Sequence, residues 1–196
     1  MKTVIFDIGN VVLQWQPERL YPERFADVDA MQAALSTHDF AGWYGTGGGA
    51  WEDRISAVED PDAKSLFTRY LQGYSEAVRT PVPGTADIIG RLKTQGTRIL
   101  ALTNAPIEAD DLVRRHHRGV MEHFEDVFVS GREGLAKPRP EAFQALLDRN
   151  AVQPEDALFT DDSPAYAKAA ETLGLKAHVF AGADGLEQHL IEEGYL

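Results

Sequence analysis

The sequence predicts an α/β protein, a doubly wound parallel sheet with a small helical insertion after its first strand. Two observations predict the sheet. Short apolar, β-branched runs recur along the chain and end in polar or glycine-bearing turns, and amphipathic helical segments fall between them. A third observation predicts the insertion: the alternation stops between residues 15 and 80, where helical spacing appears without a strong strand.

The strands come first. Residues 3–8 (TVIFDI) read as a buried strand running into Gly9-Asn10. Residues 98–102 (RILAL) lead into Thr103-Asn104, 126–129 (DVFV) into Ser130-Gly131, 157–160 (ALFT) into Asp161-Asp162, and 175–180 (LKAHVF) into Ala181-Gly182. Between them, 85–94 carries Ile88, Ile89 and Leu92 on one helical face and stops near Gly96. Residues 140–149 group Phe143, Leu146 and Leu147, with Pro140 suited to the first turn. Residues 164–173 follow Ser163, a suitable N-cap, and stop at Gly174. In the insertion the clearest helix is 63–78, with Leu66, Tyr70, Tyr74 and Val78 at helical spacing. Pro81-Val82-Pro83-Gly84 reads as the hinge back to the sheet. The expected organisation is an α/β core of residues 1–14 and 82–196 with a helical cap of residues 15–81.

Composition narrows the chemistry. A chain of 196 residues, 43% of them hydrophobic, suits one domain with a modest insertion and has enough apolar side chains for a core. Cysteine is absent, which excludes disulfides, thiolate zinc sites and a thiol nucleophile. No signal-like opening and no run approaching roughly 20 apolar residues is seen, so a cytoplasmic protein is expected. The formal net charge of −12 disfavours nucleic acid and anionic lipid as partners. It also repels a phosphate at long range, so an anion site has to be made positive locally.

Four short signals carry candidate chemistry, and each alone has an ordinary structural explanation. Asp7 could be a solvated strand end, Thr103-Asn104 a turn, Lys137 before Pro138 a loop lysine, and Asp161-Asp162-Ser163-Pro164 a helix start. Their order and context are less easily accidental. In open α/β sheets ligands bind beyond the carboxyl ends of the strands, where Asp7, Thr103 and Asp161-Asp162 are all expected.

Together these residues resemble the haloacid dehalogenase-like hydrolases. The first motif of that family is matched by Val4-Ile5-Phe6-Asp7-Ile8-Gly9-Asn10-Val11, the second by Leu100-Ala101-Leu102-Thr103-Asn104. The third is matched by Ala136-Lys137-Pro138, the fourth by Leu158-Phe159-Thr160-Asp161-Asp162. The resemblance implies a Rossmann-like core, a cap inserted after the first motif, and a Mg²⁺-dependent hydrolase acting on a small phosphorylated metabolite. It implies Asp7 as the nucleophile and Lys137 as a contact to both Asp7 and phosphate. Thr103 and Asn104 would bind substrate, and Asp7, the Gly9 carbonyl and the Asp161-Asp162 pair would bind metal. Which of the pair ligates directly is open, with Asp161 the better candidate for orienting Lys137. Two unit charges about 4 Å apart repel by about 4 kcal/mol at an effective dielectric near 20. That is about three decades of rate, so cations are needed to bring two anions together.

Gly9 departs from the pattern. Many phosphatases of the family carry a second Asp there, the general acid and base. Glycine retains a backbone carbonyl but cannot move a proton, and such help is worth about 10²–10⁴-fold. The Asp-Ile-Gly-Asn-Val form is similar to a branch that includes sugar-phosphate phosphatases. A good leaving group, metal-bound water, or a cap residue such as His38, Asp39 or Asp53 would replace the missing acid. Gly9 also keeps two alternatives open: a 2-haloacid dehalogenase, although those carry an aromatic residue at this position, and a catalytically weak metabolite-binding member of the fold. Gly45-Thr46-Gly47-Gly48-Gly49-Ala50 fits a dinucleotide fingerprint formally, but no strand precedes it, and a cap loop is the better reading. Trp43, Tyr44 and Trp51 beside it are cap packing or, alternatively, a pocket lining. His116-His117 reads as the basic end of a helix.

Overall fold

The computed structural model describes residues 1–21, 23–40 and 50–196. Five strands, β1 (Thr3–Phe6), β2 (Arg98–Thr103), β3 (Asp126–Val129), β4 (Ala157–Asp161) and β5 (Lys176–Val179), form one sheet in the order β3-β2-β1-β4-β5. Every pairing in it is parallel. Successive strands step outward from β1 on one side and then return to pair on its other side. That places a topological switch point between β1 and β4, where such sheets open a crevice.

Side-chain alternation divides the core between the two faces. Val4, Phe6, Ile99, Ala101, Val127 and Val129 face one cluster, and Ile5, Leu100, Leu102, Phe128 and Phe159 face the other. The first cluster is closed by α4 (Thr85–Thr94), α5 (Ile107–His116) and α10 (Ala183–Glu192) through Ile89, Leu92, Val113, Leu186 and Leu190. The second is closed by α8 (Pro140–Arg149) and α9 (Pro164–Thr172), with Phe143 meeting Phe159 edge-on at 5.2 Å. Helices therefore cover both faces, as expected for a doubly wound sheet.

β1 stops two residues earlier than the pattern predicts, because the chain turns there. Val12 and Leu13 N–H groups both donate to the Ile8 carbonyl, at 3.0 and 2.9 Å. Ile8, Val11, Val12 and Leu13 remain buried, so their apolar character reports the turn's packing and not a longer strand. Asn10 takes the left-handed conformation in this turn (φ 56°), which Asn tolerates better than most residues.

Between residues 15 and 80 lie a 3₁₀ turn (Pro17–Leu20) and the helices α1 (Val28–Thr37), α2 (Trp51–Ser56) and α3 (Pro61–Ala77). Asp27 caps α1 through the Ala30 N–H, and Asp60 caps α3 through Asp62 and Ala63. Leu66, Phe67, Tyr70, Tyr74 and Ala77 form the buried stripe of α3. Gly73 admits Leu20 so closely that a Cβ there would sit 2.6 Å from its Cδ2. Trp51 is buried against Tyr70, with centroids 5.3 Å apart, so it is a packing residue. Trp43, Tyr44 and the glycines of the 45–50 segment up to Gly49 lie outside the described residues. The two connections to the sheet pair with each other: Gln14 N–H donates to Thr80 at 2.8 Å and Val82 N–H to Val12 at 2.9 Å. Two short helices, α6 (Arg118–Met121) and α7 (Ser130–Glu133), and a second 3₁₀ turn (Pro154–Asp156) complete the described elements. No described helix is long and apolar enough to cross a membrane.

Candidate active site

Strand register brings the sequence-predicted residues together. Phe6 is level with Ala101 on β2 and Thr160 on β4. The next residue on each side of the crevice is Asp7 or Asp161, and Thr103 lies one residue past the corresponding point of β2. Asp7 is tied to β4 by its N–H to the Thr160 carbonyl at 2.9 Å, and β5 holds Asp161 through the Phe180 N–H at 2.8 Å.

Lys137 bridges the two acids. Its Nζ lies 2.7 Å from Asp7 Oδ1 and 2.6 Å from Asp161 Oδ2, and all three side chains are buried. The rings of Tyr166 and Phe159 approach the same ammonium at 5.0 and 5.5 Å, which suits a cation lacking water. Burial pushes the Asp7 carboxyl up to about 7; Lys137 pulls it down and Asp161 pushes it further up. Burial alone would lower Lys137, but Asp7 and Asp161 outweigh it and hold the ammonium above its usual range.

The Asp161-Asp162 pair divides its work. Asp161 has donors on both oxygens: Lys137 on Oδ2 and the Ser163 N–H on Oδ1 at 2.8 Å. Asp162 is exposed and is held on Oδ2 alone, by Asn10 Nδ2 at 2.9 Å. Asn10 is in turn fixed through its Oδ1 by the Trp15 N–H. Ser163 stands at the N-cap of α9 as expected, but its side chain caps nothing; its N–H braces Asp161 instead.

Asn104, expected at the substrate, has its carboxamide engaged with protein. Its Nδ2 donates to the Lys137 carbonyl and its Oδ1 accepts from the Lys137 N–H, both at 2.9 Å. The side chain therefore positions the lysine loop. Asn104→Ala is expected to cost about 1–3 kcal/mol, because both Lys137 backbone groups lose their partner. A lowered urea midpoint with an unchanged m-value would show it. The segment after β2 is braced from β3: Ser130 Oγ accepts from Ala105 N–H at 3.0 Å, and a Cβ on Gly131 would meet the Ala105 carbonyl at 2.8 Å.

Asp7, Gly9, Asn10, Thr103, Asn104, Lys137 and Asp162 line one cavity of about 320 Å³. Trp15, Phe40, Tyr74 and Val78 from the insertion, with Tyr166 from α9, line it as well. None of His38, Asp39 and Asp53 is among the described lining residues, and Asp39 and Asp53 are exposed. His117 instead engages the Val78 carbonyl through Nε2 at 2.8 Å. Sequence reasoning missed Asn10, Trp15 and Tyr166. Asn10 had a signal in its place three residues after Asp7; the two aromatics had none.

The described protein lining is not itself positive. Lys137 is the one basic side chain among the described lining residues, facing three carboxylates. Asp7, Asp161 and Asp162 each bring one carboxylate oxygen within 4.8 Å of the others. An all-oxygen set of this kind suits a hard divalent cation. Positive charge for an anion would then come from a bound cation and from backbone N–H groups.

The chain is similar to known proteins in sequence and in fold. Phosphoglycolate phosphatase of Rhodospirillum rubrum is 25% identical over 198 residues, covering 92% of this chain and 79% of that protein. Phosphoglycolate phosphatase of Cereibacter sphaeroides is 27% identical over 188 residues, with 92% and 85% covered. Among solved structures, a putative HAD-hydrolase of Bacillus subtilis bound to magnesium superposes with a TM-score of 0.75. It is 20% identical, with 97% of this chain and 98% of that chain covered. The family model of the haloacid dehalogenase-like hydrolases matches residues 1–174. With that match over a parallel sheet whose strand ends gather Asp7, Thr103, Lys137 and the Asp161-Asp162 pair, the chain belongs to the haloacid dehalogenase-like hydrolases.

Proposed function

We propose that this hydrolase is a Mg²⁺-dependent phosphatase that moves the phosphoryl group of a small phosphomonoester to Asp7 and then to water. The observation that carries the reading is the buried Asp7–Lys137–Asp161 chain with Asp162 beside it at the mouth of one cavity. The curated relatives named as phosphoglycolate phosphatases support phosphoester chemistry.

Asp7, Asp162 and the Gly9 carbonyl would hold the metal. Asp161 is the poorer ligand because Lys137 and Ser163 already occupy its oxygens. Bound there, Mg²⁺ would supply charge neutralisation and polarise a phosphate oxygen. Asp161 fixes Lys137, and Lys137 holds Asp7 Oδ1 while facing the phosphate. Thr103 and the neighbouring N–H groups take another phosphate oxygen. An Asp7 carboxylate oxygen forms a bond to phosphorus, and the bond from phosphorus to the leaving oxygen breaks. Water then attacks phosphorus, the Asp7–phosphate bond breaks, and the carboxylate is regenerated. In this reading residues 15–81 are a cap that closes over the site, with Trp15, Phe40, Tyr74 and Val78 as its inner wall.

The proton for the leaving group has no side chain at position 9. A Cβ built on Gly9 finds nothing nearer than Asp7 Oδ2 at 3.8 Å, and the residue is not left-handed, so the backbone there accepts a side chain. Gly9→Asp is expected to raise kcat for alkyl phosphates by up to about 10²-fold and to change p-nitrophenyl phosphate little. Steady-state rates on the two esters would show this.

The reading is tested by phosphate release from a panel of phosphorylated metabolites, with Mg²⁺ and with EDTA. Release that depends on Mg²⁺ supports it. Halide release from a 2-haloacid in EDTA, with no phosphate release, would replace it with carbon–halogen chemistry.

A further inference from the structure

The cavity is lined by two unlike kinds of side chain. Polar lining comes from the carboxylates, Lys137, Thr103 and the two asparagines, with Ile8 beside Asp7 and the Tyr166 ring 5.0 Å from the Lys137 ammonium; the rest of the described lining, its wall, is Trp15, Phe40, Tyr74 and Val78. Apart from Lys137, the described lining residues include no lysine, arginine or histidine. Lys137 is not available to a second anion, since Asp7 and Asp161 hold its ammonium. Trp15 is held in place: its indole N–H donates to the Tyr70 hydroxyl, and its backbone N–H is bound by Asn10, which also holds Asp162. One wall ring is therefore anchored, through Asn10, to the carboxylates.

We infer that the substrate carries no second anionic group and that its leaving group is an uncharged ring, of the sugar or aromatic class, seated against Trp15 and Tyr74. This rests on the phosphatase reading of the same site and adds the substrate class to it. A carboxylate on the substrate would enter an apolar wall without a partner. A ring would bury its faces against aromatic side chains that are already ordered, so little side-chain entropy is lost on binding.

The test compares matched ligands that differ in charge and ring. Wild-type protein in Mg²⁺ is titrated by calorimetry with phenylphosphonate and with phosphonoacetate. The same protein is assayed on phenyl phosphate, a hexose 1-phosphate, ethyl phosphate and 2-phosphoglycolate. The expected result is a preference of about 30-fold or more for the ring ligand over the acid, in binding and in kcat/KM. Trp15→Ala, checked for folding by its thermal melt, is expected to narrow the ratio of ring ester to ethyl phosphate about 10-fold. Equal or tighter binding of phosphonoacetate would overturn the inference. The two readings fail separately: absence of any phosphate release defeats the phosphatase reading, while the binding ratio still decides the character of the wall.

Discussion

Asp7→Asn is expected to abolish phosphate release, by on the order of 10⁴-fold or more, while leaving the fold intact. The amide keeps the shape of the carboxylate and can still accept from Lys137 through its Oδ1. It cannot form the acyl phosphate, because a neutral amide oxygen is a poor nucleophile and would lose its resonance on attack. Stability should hold or rise. The ordinary carboxyl is pushed up to about 7 chiefly by burial, so its ionised form is costly at this position and a neutral isostere relieves that cost. Phosphate release and a thermal melt on the same preparation check both halves. A large drop in melting temperature would assign the loss of activity to folding instead.

Lys137→Met carries the second large effect, and here stability falls together with activity. The lysine is the one counter-charge within hydrogen-bonding reach of Asp7 and Asp161 in the described residues. Its removal leaves two carboxylates unpaired, one of them completely buried, at a cost of about 3–5 kcal/mol. For a chain of this length that corresponds to roughly 10 °C or more in melting temperature. The sign of the pH dependence follows from proton counting. Without Lys137, which pulls the Asp7 carboxyl down, the folded state holds a proton on Asp7 more tightly than the unfolded chain does. The variant therefore gains stability relative to wild type as pH falls from 8 towards 5, and loses it as pH rises. Melts across that range check the slope. Mg²⁺ binding by Asp7 and Asp162 should offset part of the loss, since a ligand that binds only the folded state stabilises it.

The legibility of the structure follows the length and regularity of each signal. The helices Thr85–Thr94 and Pro140–Arg149 have the bounds their periodicity predicts, because Ile88, Ile89 and Leu92, and Phe143, Leu146 and Leu147, each mark a face over a full helix. The β1 boundary was misread because Ile8, Val11, Val12 and Leu13 are apolar for a different reason: they pack a turn. The four-residue helices Arg118–Met121 and Ser130–Glu133 are too short to show a period. At the site, Asp7, Thr103, Lys137 and the acidic pair were legible because each ends or follows a strand in a known order. Asn104 was legible as a position but not as an interaction, since its grip on Lys137 joins residues 33 apart. Trp15 and Tyr166 were illegible because the insertion and α9 bring them to the cavity only in three dimensions. Expected proton sources in the insertion fell elsewhere for the same reason: helical surface position does not reveal which face meets the crevice.

The account rests on phosphorus becoming bonded to Asp7, and trapping that bond tests it most directly. Protein mixed with Mg²⁺ and an accepted phosphomonoester is quenched in the steady state, reduced with borohydride and digested. An acyl phosphate at Asp7 is reduced to homoserine, so the peptide containing Phe6-Asp7-Ile8 should carry that change, and no other acidic peptide should. Full turnover with Asp7 unmodified, or with phosphate trapped on a different residue, would contradict it.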